Sequence, residues 1–257
     1  MYNLKRLGGG FLHAYSSTDW KKSKKIEYLD SSKLSISIDH FEQADFAWLC
    51  ESKSIIPQQY AFAKNNYKLL KNIYKFIFTH DADLINLDNS LFKYVPACGY
   101  WIKDARIYQK SKMVSFITSN KTMCEGHRFR LKWKERLEGK CDLFGRGFRE
   151  IQNKEEGLQD YYFSVAIENG KYDTYFTEKI LDCFATGTLP IYYGTEKICD
   201  FFNKDGIIFL SDDFDIKNLT IDLYESKKAA IIDNFERVLN YDTVEDWMYE
   251  NHFKNNL

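Results

Sequence analysis

The sequence predicts an α/β protein built on parallel sheet, and three features carry that expectation. Short runs of β-branched and aromatic residues alternate with segments of helical apolar spacing. The segment from Tyr161 to Gly194, YYFSVAIENGKYDTYFTEKILDCFATGTLPIYYG, reads as a complete strand–helix–strand unit. A hydrophobic content of 44% in 257 residues supports one large domain or two modest ones.

In the first half, Leu34–Ile38, Phe46–Cys50 and Phe76–Thr79 read as strands. Gln58–Lys71 reads as a helix, because Tyr60, Ala63, Tyr67 and Leu70 recur at spacings of three and four. Pro96–Trp101 reads as a loop. The second half opens with a strand, Met113–Thr118, a helix over His127–Leu137 and the short strand Leu143–Phe144. After the strand–helix–strand unit comes a strand at Ile207–Leu210, then a charged tail of helical pattern. Neither internal repeats nor low-complexity segments interrupt the chain. The expected organisation is residues 1–110, 111–225 and a helical tail, 226–257.

The strand–helix–strand unit is the most informative element. Tyr161–Ile167 is apolar until it stops at Glu168-Asn169, and Lys171–Phe176 forms a loop carrying three aromatic residues. Thr177 is placed to cap a helix that starts with Glu178 and Lys179, and Gly187 stands where helices end. Ile180, Leu181 and Phe184 line one face of that helix, and Leu189–Tyr193 returns as a strand. The ionisable residues thus gather where the strand ends and the helix begins, which is where open α/β sheets bind ligands and helix N-termini favour phosphate. Lys179 adds positive charge there. Glu178 would repel phosphate but suits ribose hydroxyls, so the pair points to a nucleoside diphosphate. The plainer reading has Glu178 complementing the helix dipole and Lys179 in solvent.

Glu168-Asn169, Tyr175-Phe176-Thr177-Glu178-Lys179-Ile180 and Gly187-Thr188-Leu189-Pro190-Ile191-Tyr192-Tyr193-Gly194 together resemble the signature of the family 10 glycosyltransferases, the α-1,3/4-fucosyltransferases. Phe201-Phe202-Asn203 and GIIFLSDDF (Gly206–Phe214) continue the resemblance, which runs from Val114 to Phe214. It implies a GT-B-like α/β fold, two Rossmann-like domains with the nucleotide-sugar site in the cleft and C-terminal helices bracing the first domain. Residues 1–110 would be the acceptor side and 111–225 the donor-binding domain.

The implied reaction is an inverting transfer of L-fucose from GDP-fucose to a glycan hydroxyl, of α-1,3 type. Arg130, seven residues before Leu137, matches the pyrophosphate-binding arginine, with Arg128 as its substitute in another helix register. A departing nucleoside diphosphate needs such cations, although helical arginines, Arg136 included, ordinarily lie in solvent. The resemblance gives Asn169 and Tyr175 to the phosphates and fucose, and Glu178 and Lys179 to the ribose and diphosphate, with Glu168 and Thr177 as further candidates. Gly145-Arg146-Gly147 reads as a tight turn.

The catalytic base it implies is Glu51 in CESKSIIP, although serine replaces the family's asparagine and Pro57 comes late. His80, in THDAD at another strand end, is a second candidate for acceptor or sugar contact, against an ordinary structural histidine. Asp81-x-Asp83 is formally a metal-binding D-x-D pair, but the GT-B resemblance argues against chelation. The expected reaction therefore needs no metal or cofactor, with a divalent cation at most a stimulant. Two alternatives stay open: another nucleotide sugar on the same fold, or a non-catalytic nucleotide-sugar or glycan-binding module.

A net charge of −1 with dispersed Lys and Arg gives no footprint for nucleic acid. The 17% aromatic content suits carbohydrate handling as well as ordinary cores. Cys50, Cys98, Cys124, Cys141, Cys183 and Cys199 have no metal spacing and read as reduced core thiols. No run suffices to span a bilayer and MYNLKRLGGG lacks a signal-peptide core, so the expected location is the cytoplasm.

Overall fold

The computed structural model describes residues 1–8, 23–97, 99–241 and 243–254. The chain divides into two compact units: Met1–Gly99 with Tyr172–Tyr175 and Asp242–Leu257, and Tyr100–Lys171 with Phe176–Tyr241.

The first unit is a six-stranded, wholly parallel sheet. Its strands are β1 (Tyr2–Leu7), β2 (Ile26–Tyr28), β3 (Ser35–Ile38), β4 (Phe46–Leu49), β5 (Phe76–Thr79) and β6 (Phe92–Tyr94), in the order β2-β1-β3-β4-β5-β6. The two-residue period of a strand sends alternate side chains to opposite faces. Phe46, Trp48 and Phe78 join one core with Val244, Met248 and Phe253 of the last helical segment. Ala47, Leu49 and Ile77 join another, with Tyr60, Ala63 and Leu70 of α1 (Pro57–Leu70) and Leu84 of α2 (Ala82–Leu87).

Pro57 opens α1, where its fixed φ and missing N–H cost nothing. Asp246 holds the tail down by accepting the Lys24 and Lys25 amides at 2.9 and 3.0 Å. Four elements escape the sequence reading: β1, β2, α2 and β6. Of these β2 and β6 have only three residues each, α2 has six, and β1 carries Lys5 and Arg6 in its middle.

The second unit contains β7 (Lys112–Ile117), α3 (Glu125–Arg136), β8 (Asp142–Phe144), β9 (Tyr161–Ile167), α4 (Glu178–Thr186), β10 (Leu189–Tyr193), β11 (Ile208–Phe209), α5 (Ile221–Ser226) and α6 (Lys228–Leu239). Its five strands are parallel in the order β11-β10-β9-β7-β8. Both faces are covered, as parallel sheets require. Ile180, Leu181 and Phe184 of α4 pack with Ala166 and Tyr192 on one side. Trp133 of α3, Tyr224 of α5 and Ile231 of α6 pack with Phe116, Phe163, Val165 and Ile191 on the other.

Thr177 caps α4, and Gly187 closes it in the left-handed conformation at φ +66°. Below that end, the buried Lys110 ammonium donates to Thr186 O at 2.8 Å, Gln159 O at 3.0 Å and Thr188 Oγ1 at 3.0 Å. Of the five described cysteines, Cys50, Cys124 and Cys183 are buried and Cys141 and Cys199 half-buried; Cys98 lies outside the described residues. Among the described residues no helix is long and apolar enough to cross a membrane.

Candidate functional site

Strand order locates the site in the second unit. From β7 the chain crosses to β8 on one side, and from β9 to β10 and β11 on the other. The order therefore reverses between β7 and β9, and such a switch point opens a crevice at the carboxyl ends of the strands. A cavity of about 150 Å³ lies there, lined by Thr118 and Ser119 after β7, Arg130 of α3, Lys154, and Glu178, Lys179 and Asp182 of α4. Whole-ligand pockets usually measure roughly 300–1,000 Å³, so this one has room for only part of a ligand of that size.

The loop between β9 and α4 is fixed by one carboxylate. Glu168 is fully buried, and its two oxygens accept the Thr177 amide and the Thr177 hydroxyl, each at 2.8 Å. Lys179 Nζ lies 3.5 Å from the same carboxylate, 3.0 Å from Thr177 Oγ1 and 3.2 Å from Glu178 Oε1. Glu168 and Thr177 are thus the braces of the loop. The ammonium is held over the first turn of α4, where helix amides add positive potential.

Arg130 is tied into the same structure. Its Nε donates to Ile167 O at 2.8 Å and an Nη donates to Asn169 Oδ1. The first turn of α3 also touches this loop, through the Gly126 amide to Asn169 O at 3.2 Å. A Cβ on Gly126 would meet Asn169 O at 2.4 Å and Glu168 O at 2.6 Å, so only glycine permits this approach. Arg128, by contrast, is exposed and donates to Thr122 O at 3.2 Å.

Four residues of this unit went unnoticed in the sequence. Lys154 Nζ pairs with Asp182 Oδ2 at 2.8 Å and Glu178 Oε1 at 3.3 Å. Burial drives the Asp182 carboxyl up to about 6, against the pull of Lys154. Thr118 lines the cavity with a buried hydroxyl that has no protein partner. His127 is pushed down to about 4 by burial, then by Arg130, Lys121, Lys179 and Arg128, so it stays neutral amid cations. Asp182 left a signal, an acid inside the otherwise apolar ILDCFA run; Lys154 lies in an unremarkable polar loop.

The other predicted residues belong to the first unit. Glu51 follows β4; its amide donates to Asp39 Oδ1 at 2.9 Å and its carbonyl accepts the Tyr60 hydroxyl at 2.8 Å. Asp39, unforeseen, follows β3 at φ +59°, also accepts the Cys50 amide at 2.7 Å, and is raised by burial to about 6. Burial lowers His80 to about 4. Its Nε2 lies 3.3 Å from Tyr60 Oη, whose single proton is spent on Glu51 O, so Nε2 carries the proton and Nδ1 is bare. Tyr175 packs on the His80 ring at 4.7 Å.

Asp81 caps α2, and Lys53 bridges it to Asp83 at 3.0 and 3.3 Å, so an ammonium fills the D-x-D pair. Among the described residues no three His, Cys, Asp or Glu side chains form a metal-sized cluster.

The C-terminal-domain model of glycosyltransferase family 10 (fucosyltransferase) matches residues 107–240. The alpha-(1,3)-fucosyltransferase FucT of Helicobacter pylori is 32% identical over 104 residues, a match covering 39% of this chain and 22% of that protein. The chain thus spans less than a quarter of that relative's length.

A crystal structure of an alpha1,3-fucosyltransferase superposes with a TM-score of 0.56 at 14% identity, covering 94% of this chain and 81% of the other. A structure of alpha1,3-fucosyltransferase with GDP-fucose gives 0.50 at 14% identity, covering 94% and 82%. These likenesses establish a shared GT-B-type α/β fold. With more than half of its residues inside the family match, the chain belongs to glycosyltransferase family 10, the fucosyltransferases.

Proposed function

We propose that this protein is a fucosyltransferase that binds GDP-fucose and moves L-fucose, with inversion, to a hydroxyl of a glycan in an α-1,3 linkage. The observation that carries this reading is the cavity at the switch point, whose wall brings Arg130, Lys179 and Glu178 together in the family-matched segment. Two relatives, an alpha-(1,3)-fucosyltransferase and an alpha1,3-fucosyltransferase solved with GDP-fucose, support the donor and the linkage.

In the proposed step the acceptor hydroxyl attacks the anomeric carbon while the bond to the β-phosphate breaks. Arg130 and Lys179 offset the charge that builds on the leaving diphosphate, a stabilisation that preorganised cations supply without reorganisation. Glu178 accepts the ribose hydroxyls, and Asn169, held by Arg130, faces the phosphates. Tyr175 orients the fucose. Glu51 takes the acceptor proton, a role that suits a carboxylate at a strand end. No resident metal is required, and a divalent cation would act only as a stimulant.

Calorimetric titration with GDP, UDP, ADP and GDP-fucose tests the donor. Selective binding of GDP and GDP-fucose, lost in Glu178→Ala and Lys179→Ala, is expected. Binding of UDP instead would leave the fold and change the donor. Transfer to a glycan panel, with the anomeric configuration read by NMR, then tests inversion and linkage; a retained configuration would refute the single displacement.

A further inference from the structure

Beside the cations Arg130, Lys154 and Lys179, two acids, Glu178 and Asp182, line the proposed donor cavity. Glu178 and Asp182 stand one helical turn apart on α4, which puts both on the same face. Both are buried, at 8% and 1% exposure. Two carboxylates so placed repel each other and would repel a phosphate. Lys154 lies between them, 2.8 Å from Asp182 Oδ2 and 3.3 Å from Glu178 Oε1, with its ammonium 4.4 Å from the centre of the Trp101 ring. The second Asp182 oxygen accepts the Trp101 amide at 2.5 Å. Asp182 is therefore engaged on both oxygens and anchors Lys154, and Lys154 in turn holds Glu178.

Lys179 competes for the same oxygen, at 3.2 Å from Glu178 Oε1. One lysine cannot both neutralise Glu178 and turn to a diphosphate.

We infer that Lys154 is a positioning residue for ribose recognition: anchored by Asp182 and Trp101, it keeps Glu178 aimed at the ribose hydroxyls and releases Lys179 for the diphosphate. This rests on the ribose role of Glu178 proposed above.

The test is calorimetric binding of GDP and of 2′,3′-dideoxy-GDP to the full chain and to its Glu178→Gln, Lys154→Met, Lys154→Arg and Asp182→Asn variants, with thermal melts alongside. The wild type should prefer GDP by roughly tenfold or more, the worth of a hydrogen bond to a charged group. Glu178→Gln should abolish the preference. Lys154→Met should reduce it to within about threefold, Lys154→Arg should retain it, and Asp182→Asn should fall between.

A residue that only stabilises the fold would weaken both nucleotides alike and leave their ratio untouched. If Lys154→Met is too unstable to titrate, the Asp182→Asn ratio decides. An unchanged ratio in Lys154→Met, or in Asp182→Asn where that variant decides, with a collapsed one in Glu178→Gln, overturns the part given to Lys154 alone. No preference in the wild type overturns the ribose role of Glu178, and the inference falls with it.

Discussion

The two units share a design and differ in how their strand-end residues are held. Each is a parallel sheet whose order reverses beside its first strand, between β1 and β3 in one and between β7 and β9 in the other. In the second unit the strand-end groups form one network: Arg130 on Asn169 and Ile167, Glu168 on Thr177, Lys179 on both, Lys154 on Glu178 and Asp182. In the first unit, Asp39, Glu51 and His80 follow three different strands: Asp39 accepts the Glu51 amide, and Tyr60 links the Glu51 carbonyl to the His80 ring. Under the proposed function the interlocked charges would grip the diphosphate, and Glu51, at a strand end, would accept the single proton.

The largest expected effect falls in the first unit. Glu51→Gln should lower kcat by roughly 10²–10⁴, the usual worth of a general base, while leaving GDP affinity within about threefold. Steady-state kinetics with calorimetry on the same variant checks both halves. Near-normal turnover would take the base away from Glu51 and turn attention to Asp39, whose carboxyl stands near 6.

In the interlocked unit, Lys179→Ala and Arg130→Ala should each raise the barrier by about 2–4 kcal/mol, by comparison with removal of one oxyanion donor. Arg130→Ala should also lower the melting temperature, since its guanidinium braces Ile167 and Asn169. Equal stability of the two variants would show that the network is less interlocked than its hydrogen bonds imply.

The same difference explains what was legible in the sequence. The βαβ unit was readable residue by residue because its cap, its left-handed glycine and its apolar runs follow local rules, and Tyr161–Ile167 and Leu189–Tyr193 fall on β9 and β10 without a shift. Strands such as β2 and β6 are too short to show a period, and only their neighbours in the sheet make them strands. Lys154 and Asp39 matter because folding brings them to Asp182 and to the Glu51 amide, which lie 28 and 12 positions away. No spacing rule reaches that far. The family resemblance supplied Arg130 and Glu51, which helix and strand patterns alone leave among many charged residues.

A smaller effect tests the contact between α3 and the loop of the second unit. At an ordinary helix position Gly→Ala stabilises by up to about 1 kcal/mol. At Gly126 the added methyl meets two backbone carbonyls that cannot move without breaking the loop. Gly126→Ala should therefore destabilise by about 1–3 kcal/mol, as overpacking does, and should weaken GDP binding by parting Arg130 from Asn169. Thermal melts with and without GDP would measure both; a stabilised variant would mean the loop yields.

The smallest effect is the pH dependence contributed by Asp39 in the first unit. Burial raises Asp39 from the ordinary carboxylate range to about 6, against the two amides it accepts. Between about pH 4 and 6 the unfolded chain loses this proton while the folded chain keeps it, so the folded state binds more protons and stability falls as pH rises. Above 6 the loss levels off. Asn in its place still accepts the Cys50 and Glu51 amides through Oδ1, tolerates φ +59°, and has no proton to lose. Asp39→Asn should thus match the wild type near pH 4 and exceed it by about 1 kcal/mol at pH 7, below the ceiling of roughly 3 kcal/mol that two pKa units allow. His80, held neutral at about 4, tilts the absolute curve the other way, losing stability as pH falls from 6.5 to 4. The comparison is therefore the difference between the two proteins across that range, in which the shared His80, His127 and Asp182 cancel. A difference that stays flat from pH 4 to 7 would mean that the Asp39 carboxylate is already ionised at the acid end, held by its amides as firmly as the charges of the second unit are held by one another.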